Sequence, residues 1–326
     1  MIANLADLFG QTHPLIMGIL NTTPDSFSDG GKYLEPIKAC EHADLLISAG
    51  AHIIDIGAES TGPGARAVSE EEEARRLLPI VSSLADKIFV SVDTYKASTA
   101  RLCLDLGAQM INDVSALRAD PDMGRVGAEY GSYIVLMYSK ESADHPHASK
   151  SEFSSDGDII ERIVTFLNRQ IDFALRCGIN ENRIILDPGM GRFLSADSSV
   201  SWAVLARFEE LSTRLSQFPF LISTSRKGFL PGHSPDSKDA VSQLTALVAV
   251  MRGSHIVRTH NSEMARDFIF AFGQMGVLPT VSLPICRFPA LDTPSTKVID
   301  PSKRDCEVRQ SEEGRDAKDR SLPKCR

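Results

Sequence analysis

The feature that most constrains this chain is a series of short apolar runs that recurs along most of its length. There are eight of them: PLIMGIL (14–20), HIIDIG (52–57), KIFVSVD (87–93), AQMIND (108–113), SYIVLMY (132–138), RIILD (183–187), FPFLIS (218–223) and HIVRTH (255–260). Each run is rich in β-branched residues, bounded by Gly or polar residues, and free of strict alternation. That pattern indicates strands that are buried on both faces, as in a parallel sheet.

Segments with helical periodicity separate these runs, for example at 37–50, 71–86, 158–178 and 240–253. Ser69 and Glu72 have the spacing of a capping box at the start of the second segment. Eight strands alternating with helices predict an α/β fold of the (β/α)8 (TIM) barrel type. A doubly wound open sheet is the alternative, but the first run is not followed by the glycine pattern that such a sheet uses for phosphate.

The composition changes after about residue 280. Residues 281–326 are rich in Pro, Ser and mixed charges and have no periodicity. We therefore predict a barrel domain over 1–280 and a disordered tail over 281–326. A tail peptide that docks a partner is the alternative interpretation.

The bulk properties exclude several classes of function. The formal net charge of −8 argues against a general electrostatic affinity for nucleic acid. No apolar run approaches the roughly 18 residues that a membrane span requires. The six cysteines are scattered, which favours free thiols in a reducing compartment, and the first residues do not resemble a signal peptide. We expect a cytoplasmic protein without a membrane partner.

Polar residues of two kinds follow the predicted strands, at the end where such barrels carry their chemistry. Acids and amides are represented by Asp93, Asn112 and Asp187, and cations by Lys227, Arg258 and His260. Carboxylates and amides accept hydrogen bonds from the edge of a heterocycle, whereas Arg, Lys and His bind phosphate. Each residue alone has a simpler interpretation, such as a helix cap for Asp93 or a surface position for His260. Together they predict a ligand with a ring at one end and phosphate at the other.

The residues that follow these strands also form recognisable motifs. They are MGILNTTPDSFSDGG, GAHIIDIGAESTGPGA, VSVDTYKA, MINDVSAL, ILDPGMG, STSRKGFL and IVRTH, in that order. Over about residues 15–275 the chain resembles the dihydropteroate synthases. The resemblance implies a (β/α)8 barrel that condenses 6-hydroxymethyl-7,8-dihydropterin diphosphate with 4-aminobenzoate, giving 7,8-dihydropteroate and pyrophosphate.

The resemblance also implies a role for individual residues. Asn21 would bind Mg²⁺ through its side-chain oxygen, and the following TTPDSFSDGG would be a loop that closes over the diphosphate. Pterin would be held by Asp93, Asn112, Asp187 and Lys227, and the diphosphate by Arg258 and His260. The catalytic residues would be Asp93, Lys227, Arg258 and His260. Thr61 and Pro63 would shape the aminobenzoate site, and the protein would be a homodimer.

The chain departs from the family pattern at several positions. Gly62 and Gly228 stand where the family has Arg and Ser, Tyr138 where it has His, and Arg192 follows the ILDPGMG motif. These changes fall on the aminobenzoate side of the implied site and predict reduced sulfonamide sensitivity, because the drug extends beyond the substrate and can be excluded sterically. Three alternatives stay open: a non-catalytic pterin-binding paralogue, a methyltetrahydrofolate methyltransferase, and an aldolase that uses Lys227 as a Schiff base.

Overall fold

The computed structural model describes residues 5–11, 14–22, 35–60, 67–141 and 157–278. The tail predicted over 281–326 lies outside these residues, as does most of the loop expected after Asn21.

The described residues form one parallel sheet with the strand order β6-β5-β4-β3-β2-β1-β8-β7. The strands are β1 Leu15–Asn21, β2 Ile53–Gly57, β3 Phe89–Asp93, β4 Met110–Asp113, β5 Tyr133–Met137, β6 Ile184–Asp187, β7 Leu221–Ile222 and β8 Ile256–Thr259. A parallel bridge between Leu186 and Phe220 joins the two outer strands. The sheet therefore closes into the predicted (β/α)8 barrel, and the open sheet is excluded.

Helices follow the strands around the outside. They are α1 Leu5–Gln11, α2 Glu35–Ser48, α3 Glu70–Leu84, α4 Ala97–Asp105, α5 Met123–Tyr130, α6 Ile159–Arg176, α7 Ser198–Ala206, α8 Phe208–Arg214, α9 Pro235–Met251 and α10 Ser262–Gln274. The apolar runs did not predict α1, which lies outside the strand–helix alternation. Its Leu5 and Phe9 pack in one buried cluster with Leu15 and Met17 of β1.

Only one of the two hydrogen bonds of the predicted capping box forms at the start of α3. The side chain of Ser69 accepts the backbone N–H of Glu72 at 3.3 Å. The carboxylate of Glu72 does not return to Ser69 but binds Arg75 and Arg76, each at 2.7 Å. Charge-assisted bonds to two guanidinium groups are stronger than one bond to a backbone N–H, so the carboxylate turns toward the arginines.

The strands place alternate residues inside the barrel, because side chains on a strand point to opposite faces in turn. The residues near the amino ends form an apolar cluster that includes Met17, Ile53, Phe89, Met110, Val135, Ile185, Leu221 and Ile256. Two positions further along their strands lie Asp55, Ser91, Asn112, Asp187, Ser223 and Arg258. The barrel interior is thus apolar at one end and polar at the other.

The residues between these positions pack against the surrounding helices. Ile54, Val90, Ile111 and Ile134 belong to the larger apolar cluster that lies between sheet and helices. Burial on both faces explains why the runs lack simple alternation. Among the described cysteines, Cys40, Cys103 and Cys177 are free thiols, as expected. None of the helices in the described ranges combines the length and apolar character needed to cross a membrane.

Candidate active site

A cavity lies at the carboxyl ends of the strands and collects most of the residues selected from the sequence. Its lining consists of Asp93, Asn112, Val114, Met137, Asp187, Met190, Phe193, Ser223, Lys227 and Arg258. The acids and amides come from β3, β4 and β6, and the cations follow β7 or lie on β8. The spatial arrangement expected from the sequence is therefore present: both chemical populations face one cavity.

Arg258 lines this cavity and is bound by two carboxylates. Its Nε lies 2.6 Å from Oδ2 of Asp55, and its Nη2 lies 2.8 Å from Oδ2 of Asp93. Asp55 is fully buried and also accepts from Ser91 at 2.6 Å and from the Asn112 amide at 2.9 Å. Burial by itself lowers the pKa of Arg258, but the two carboxylates outweigh it and raise the pKa.

The two carboxylates that face the cavity have unusual proton affinities. Loss of water raises the pKa of Asp93 to about 7; Asp55 acts in the same direction, and Arg258 opposes both. Loss of water also raises the pKa of Asp187 to about 6, against a bond from the Gly189 N–H at 2.7 Å. Carboxyl groups with pKa values near neutrality in a cavity are typical of binding and catalytic sites.

The turn that carries Asp187 depends on glycine. Gly189 has a φ of +68°, and a Cβ placed there would lie 2.3 Å from the backbone oxygen of Tyr138. Glycine is therefore the residue that permits both the left-handed conformation and the close approach of the two backbones. This fixes the N–H of Gly189 against the carboxylate and orients Asp187.

Lys227 enters the cavity from a turn that is strained at the preceding residue. Arg226 has a φ of +55°, which is unusual for a residue with a side chain. Its guanidinium forms two bonds to the buried Asp239 of α9, at 2.7 and 2.8 Å, and its backbone N–H donates to Ser242 at 3.0 Å. These bonds hold the turn, so that Arg226 points outward while Lys227 lines the cavity. Loss of water and the nearby Arg258 lower the pKa of Lys227.

His260 follows β8 and is neutral over the physiological range. Loss of water, together with the charges of Arg226 and Arg258, lowers its pKa to about 3. Oγ of Ser225 accepts the backbone N–H of His260 at 3.1 Å and lies 2.8 Å from the ring Nδ1. We assign the hydroxyl hydrogen to the bond with Nδ1, which leaves the ring hydrogen on Nε2 as a donor.

A second buried group lies just after β2. Glu59 accepts from the Tyr95 hydroxyl at 2.6 Å, from the Lys96 ammonium, and from the backbone N–H of Val68 at 3.2 Å. Lys96 also lies 3.0 Å from Glu73. Burial alone would raise the pKa of Glu59, but these donors lower it. Glu59 precedes and Val68 follows residues 61–66, so this bond fixes the distance between the two ends of that segment.

Comparison with known proteins matches most of this chain to one family. A family model described as "Pterin binding enzyme" covers residues 17–260. The dihydropteroate synthase of Bacillus subtilis is 39% identical over 252 residues, which is 76% of this chain and 83% of that protein. The dihydropteroate synthase type-2 of Escherichia coli is 39% identical over 259 residues, covering 78% and 93%. The chain belongs to the dihydropteroate synthase family. It is an enzyme of the transferase class.

Solved structures of dihydropteroate synthases have the same fold. The enzyme of Clostridium difficile, in the presence of pteroic acid, has a TM-score of 0.74 at 36% identity and covers 81% of this chain and 97% of its own. The enzyme of Xanthomonas albilineans with 4-aminobenzoic acid has a TM-score of 0.74 at 34% identity, covering 82% and 94%. Another structure of the Xanthomonas enzyme holds 7,8-dihydropteroate.

Within this barrel, the remaining residues selected from the sequence have different positions. Asn21 ends β1 with an exposed side chain and is not among the residues that line the cavity. His260 is also outside that lining, although it is fixed beside the Lys227 turn through Ser225. Thr61, Gly62 and Pro63 lie outside the described residues.

The departures from the family pattern that the structure describes differ in their burial and surroundings. Tyr138 is buried and packs edge-to-face on Phe166 of α6, with ring centroids 5.2 Å apart. Arg192 is exposed, whereas the adjacent Phe193 lines the cavity. A Cβ added at Gly228 would meet no atom within 4 Å. Gly228, which stands where the family has Ser, therefore leaves open space beside Lys227.

Sequence analysis missed several residues that line this cavity or contact its lining. Asp55 organises Arg258 and Asn112 but lies inside a strand, where it was not selected as a site residue. Val114, Met137 and Met190 are apolar and Ser223 is uncharged, so the pattern of charged and amide residues at the strand ends did not indicate them. The signal for Asp55 and Ser223 was available, because each is a polar residue two positions after an interior apolar residue.

Proposed function

We propose that this chain is a dihydropteroate synthase that joins 6-hydroxymethyl-7,8-dihydropterin diphosphate to 4-aminobenzoate and releases pyrophosphate. The observation that carries the proposal is the cavity in which Asp93, Asn112 and Asp187 face Lys227 and Arg258. Ring-binding acceptors and phosphate-binding donors are thereby combined in one site.

The pterin ring would lie against Asp187, Asn112 and Lys227. The Asn112 amide nitrogen is engaged by Asp55, so its oxygen remains to accept a ring or amino N–H. Asp187 can accept paired N–H bonds, and Lys227 can donate to the ring carbonyl. Between them these three residues match both donors and acceptors along one edge of the ring.

The diphosphate would lie toward Arg258 and His260. Two of the Arg258 nitrogens are bound to Asp55 and Asp93, which leaves Nη1 to donate to a phosphate oxygen. The neutral His260 ring offers its Nε2–H. Donors that are fixed before the substrate arrives stabilise the charge that develops on the leaving group without reorganisation.

The reaction then requires no nucleophilic side chain. The bond between the methylene carbon and the diphosphate oxygen breaks, and the electron pair leaves with pyrophosphate. Asp93, when ionised, would stabilise the methylene cation through its negative charge. The amine of 4-aminobenzoate attacks this carbon, forms the C–N bond and releases a proton. Holding both substrates in register supplies much of the remaining rate enhancement.

Asn21 is a suitable ligand for Mg²⁺ in this scheme. Its side chain is exposed at the carboxyl end of β1, beside β8, and makes no hydrogen bond to other residues that the structure describes. Mg²⁺ prefers oxygen ligands, often takes few from the protein, and binds phosphate oxygens for the rest. When bound, the ion would neutralise charge on the departing pyrophosphate.

An assay for pyrophosphate release tests the proposal directly. The purified enzyme, given the pterin diphosphate, 4-aminobenzoate and Mg²⁺, should release one pyrophosphate per dihydropteroate formed. Asp187→Asn should lose both activity and pterin binding in calorimetry. Pterin binding without pyrophosphate release would identify a pterin-binding paralogue instead, and methyl transfer from methyltetrahydrofolate would identify the methyltransferase.

Reduced sulfonamide sensitivity is a finer part of the proposal. It rests on Gly62, Arg192 and Gly228, which differ from the family pattern on the aminobenzoate side. The open space at Gly228 can accept the Cβ of the serine that is usual in the family. We expect sulfonamide to inhibit the unmodified chain less than the Bacillus subtilis relative in parallel assays. Equal inhibition of the two enzymes would contradict this part alone.

A homodimer is also part of the proposal. Trp202 of α7 and Leu244 and Met251 of α9 are apolar and exposed, and these two helices contact each other. Exposed apolar side chains on neighbouring helices are typical of an interface between subunits. Light scattering should give twice the mass of 35.5 kDa, whereas a monomer at micromolar concentration would contradict the dimer.

A further inference from the structure

Two buried serine hydroxyls lack a hydrogen-bond partner among the described residues: those of Ser223 and Ser262. The two residues are 6% and 1% exposed. A buried hydroxyl without a partner lowers stability, because it has lost its bonds to water without replacing them. The presence of an unpaired buried hydroxyl therefore calls for an explanation. The two serines lie in different parts of the structure.

Ser223 lines the proposed active-site cavity, whereas Ser262 does not. Ser223 lies two positions beyond Leu221, which packs in the apolar interior of the barrel, so strand alternation directs its side chain inward. Ser262 begins α10, and its hydroxyl is directed at Gly18, where an added Cβ would lie 3.2 Å away.

The residues that follow Ser223 have their hydroxyls engaged. Thr224 donates to the backbone oxygen of Ser242 at 2.9 Å, and Ser225 is bound to His260. Of these three successive hydroxyls, the unpaired one is therefore the one that lines the cavity with Asp187 and Lys227. This position is suited to a ligand atom.

We propose that the Ser223 hydroxyl binds the fused ring of the pterin substrate, as a further specificity-determining contact. The inference rests on the proposed function, since it assumes a pterin in this cavity. A hydroxyl can both donate and accept, so it fits either the ring carbonyl or a ring nitrogen on the side that faces Lys227. The ligand then supplies the partner that the hydroxyl lacks in the free protein.

This contact predicts opposite effects of Ser223→Ala on two measurements. Removing an unpaired buried hydroxyl should raise the melting temperature of the ligand-free protein by about 2–4 °C. The same change should weaken binding of 6-hydroxymethyl-7,8-dihydropterin diphosphate by about 5- to 10-fold in calorimetry. Pyrophosphate alone should bind as before. Ser223→Gly, which also lacks the hydroxyl, should show the same loss of pterin affinity.

Ser262→Ala is the matched control. It removes the other unpaired hydroxyl, so it should raise the melting temperature similarly but leave pterin affinity unchanged. If the unmodified protein binds pterin diphosphate and Ser223→Ala binds it equally well, the inference about Ser223 is wrong while the proposed function stands. If the unmodified protein does not bind pterin diphosphate, the proposed function itself fails. An equal loss of pterin affinity in Ser262→Ala would also overturn the inference, because the effect would not depend on the cavity.

Discussion

Arg258 and Asp55 form an ion pair inside the barrel, with Nε 2.6 Å from Oδ2, although 203 positions separate them in the chain. Asp55 is on β2 and Arg258 on β8, and β1 lies between these two strands. The pair thus spans β1 and sets the direction of the guanidinium toward the cavity. Asp55 does not itself line the cavity, so it acts by positioning Arg258 and Asn112.

Asp55→Asn should destabilise the protein strongly. Removing one partner of a buried ion pair leaves an uncompensated charge and costs about 3–5 kcal/mol. We expect urea unfolding to show a loss of unfolding free energy near the lower end of this range, because the Asn side chain keeps some hydrogen bonds. Asp122→Asn is the control: Asp122 and its partner Arg125 are both exposed at the start of α5, and exposed pairs contribute at most about 1 kcal/mol. Equal losses in the two variants would contradict a structural role for the Asp55 pair.

Pterin affinity should fall below about pH 6. The pKa of Asp187 is raised to about 6, and the ring donors require the ionised carboxylate. Affinity should therefore be constant well above this pKa and fall about tenfold for each pH unit below it, as the ligand-free site takes up a proton. Calorimetry with the pterin diphosphate between pH 5 and 8 measures this. An affinity independent of pH would place the ring elsewhere.

His260 should remain neutral at physiological pH. Because its pKa is lowered to about 3, its ring carbon protons should show no titration between pH 5 and 8 in NMR of the ligand-free enzyme. Between about pH 6.5 and pH 3 a histidine in the unfolded chain is protonated, whereas the His260 ring in the folded protein is neutral. His260 therefore lowers the free energy of unfolding progressively as the pH falls through this range.

Glutamine is a suitable substitute for a histidine that acts as a neutral hydrogen-bond donor. His260→Gln offers a neutral N–H and should keep more affinity for pyrophosphate than His260→Ala. An inflection near pH 6.5, or equal loss in both variants, would contradict the neutral-donor assignment.

The Arg226–Asp239 pair should matter because it holds a strained backbone. A residue with a side chain at positive φ costs about 1–3 kcal/mol, and the two bonds to Asp239 offset this cost. Asp239→Ala should therefore release the turn and lower kcat/KM about tenfold by misplacing Lys227. Arg226→Gly in the same chain should recover much of the activity, because glycine adopts this conformation without strain.

The double variant separates this role from simple packing. Steady-state kinetics of the two single variants and the double variant form a thermodynamic cycle. A double variant as impaired as Asp239→Ala alone would show that the turn does not depend on the backbone of residue 226.

Local sequence predicted the fold and the charged residues that line the cavity. The eight apolar runs correspond to the eight strands, and helices separate them, because burial on both faces of a parallel strand requires continuous apolar residues. The strand bounds were less accurate: FPFLIS contributes only Leu221–Ile222, since Phe220 joins the sheet by a single bridge.

The sequence by itself determined which residues could serve the site. Only the tertiary structure decided how these residues are paired. Asp93, Asn112, Asp187 and Arg258 lie at or next to the carboxyl ends of strands and Lys227 follows one, and parallel strands carry such residues to the same rim. Closure of the barrel, in contrast, brought Asp55 against Arg258 and left Ser223 without a partner inside the described residues. Such pairings depend on distances between residues far apart in the chain, which no local pattern encodes.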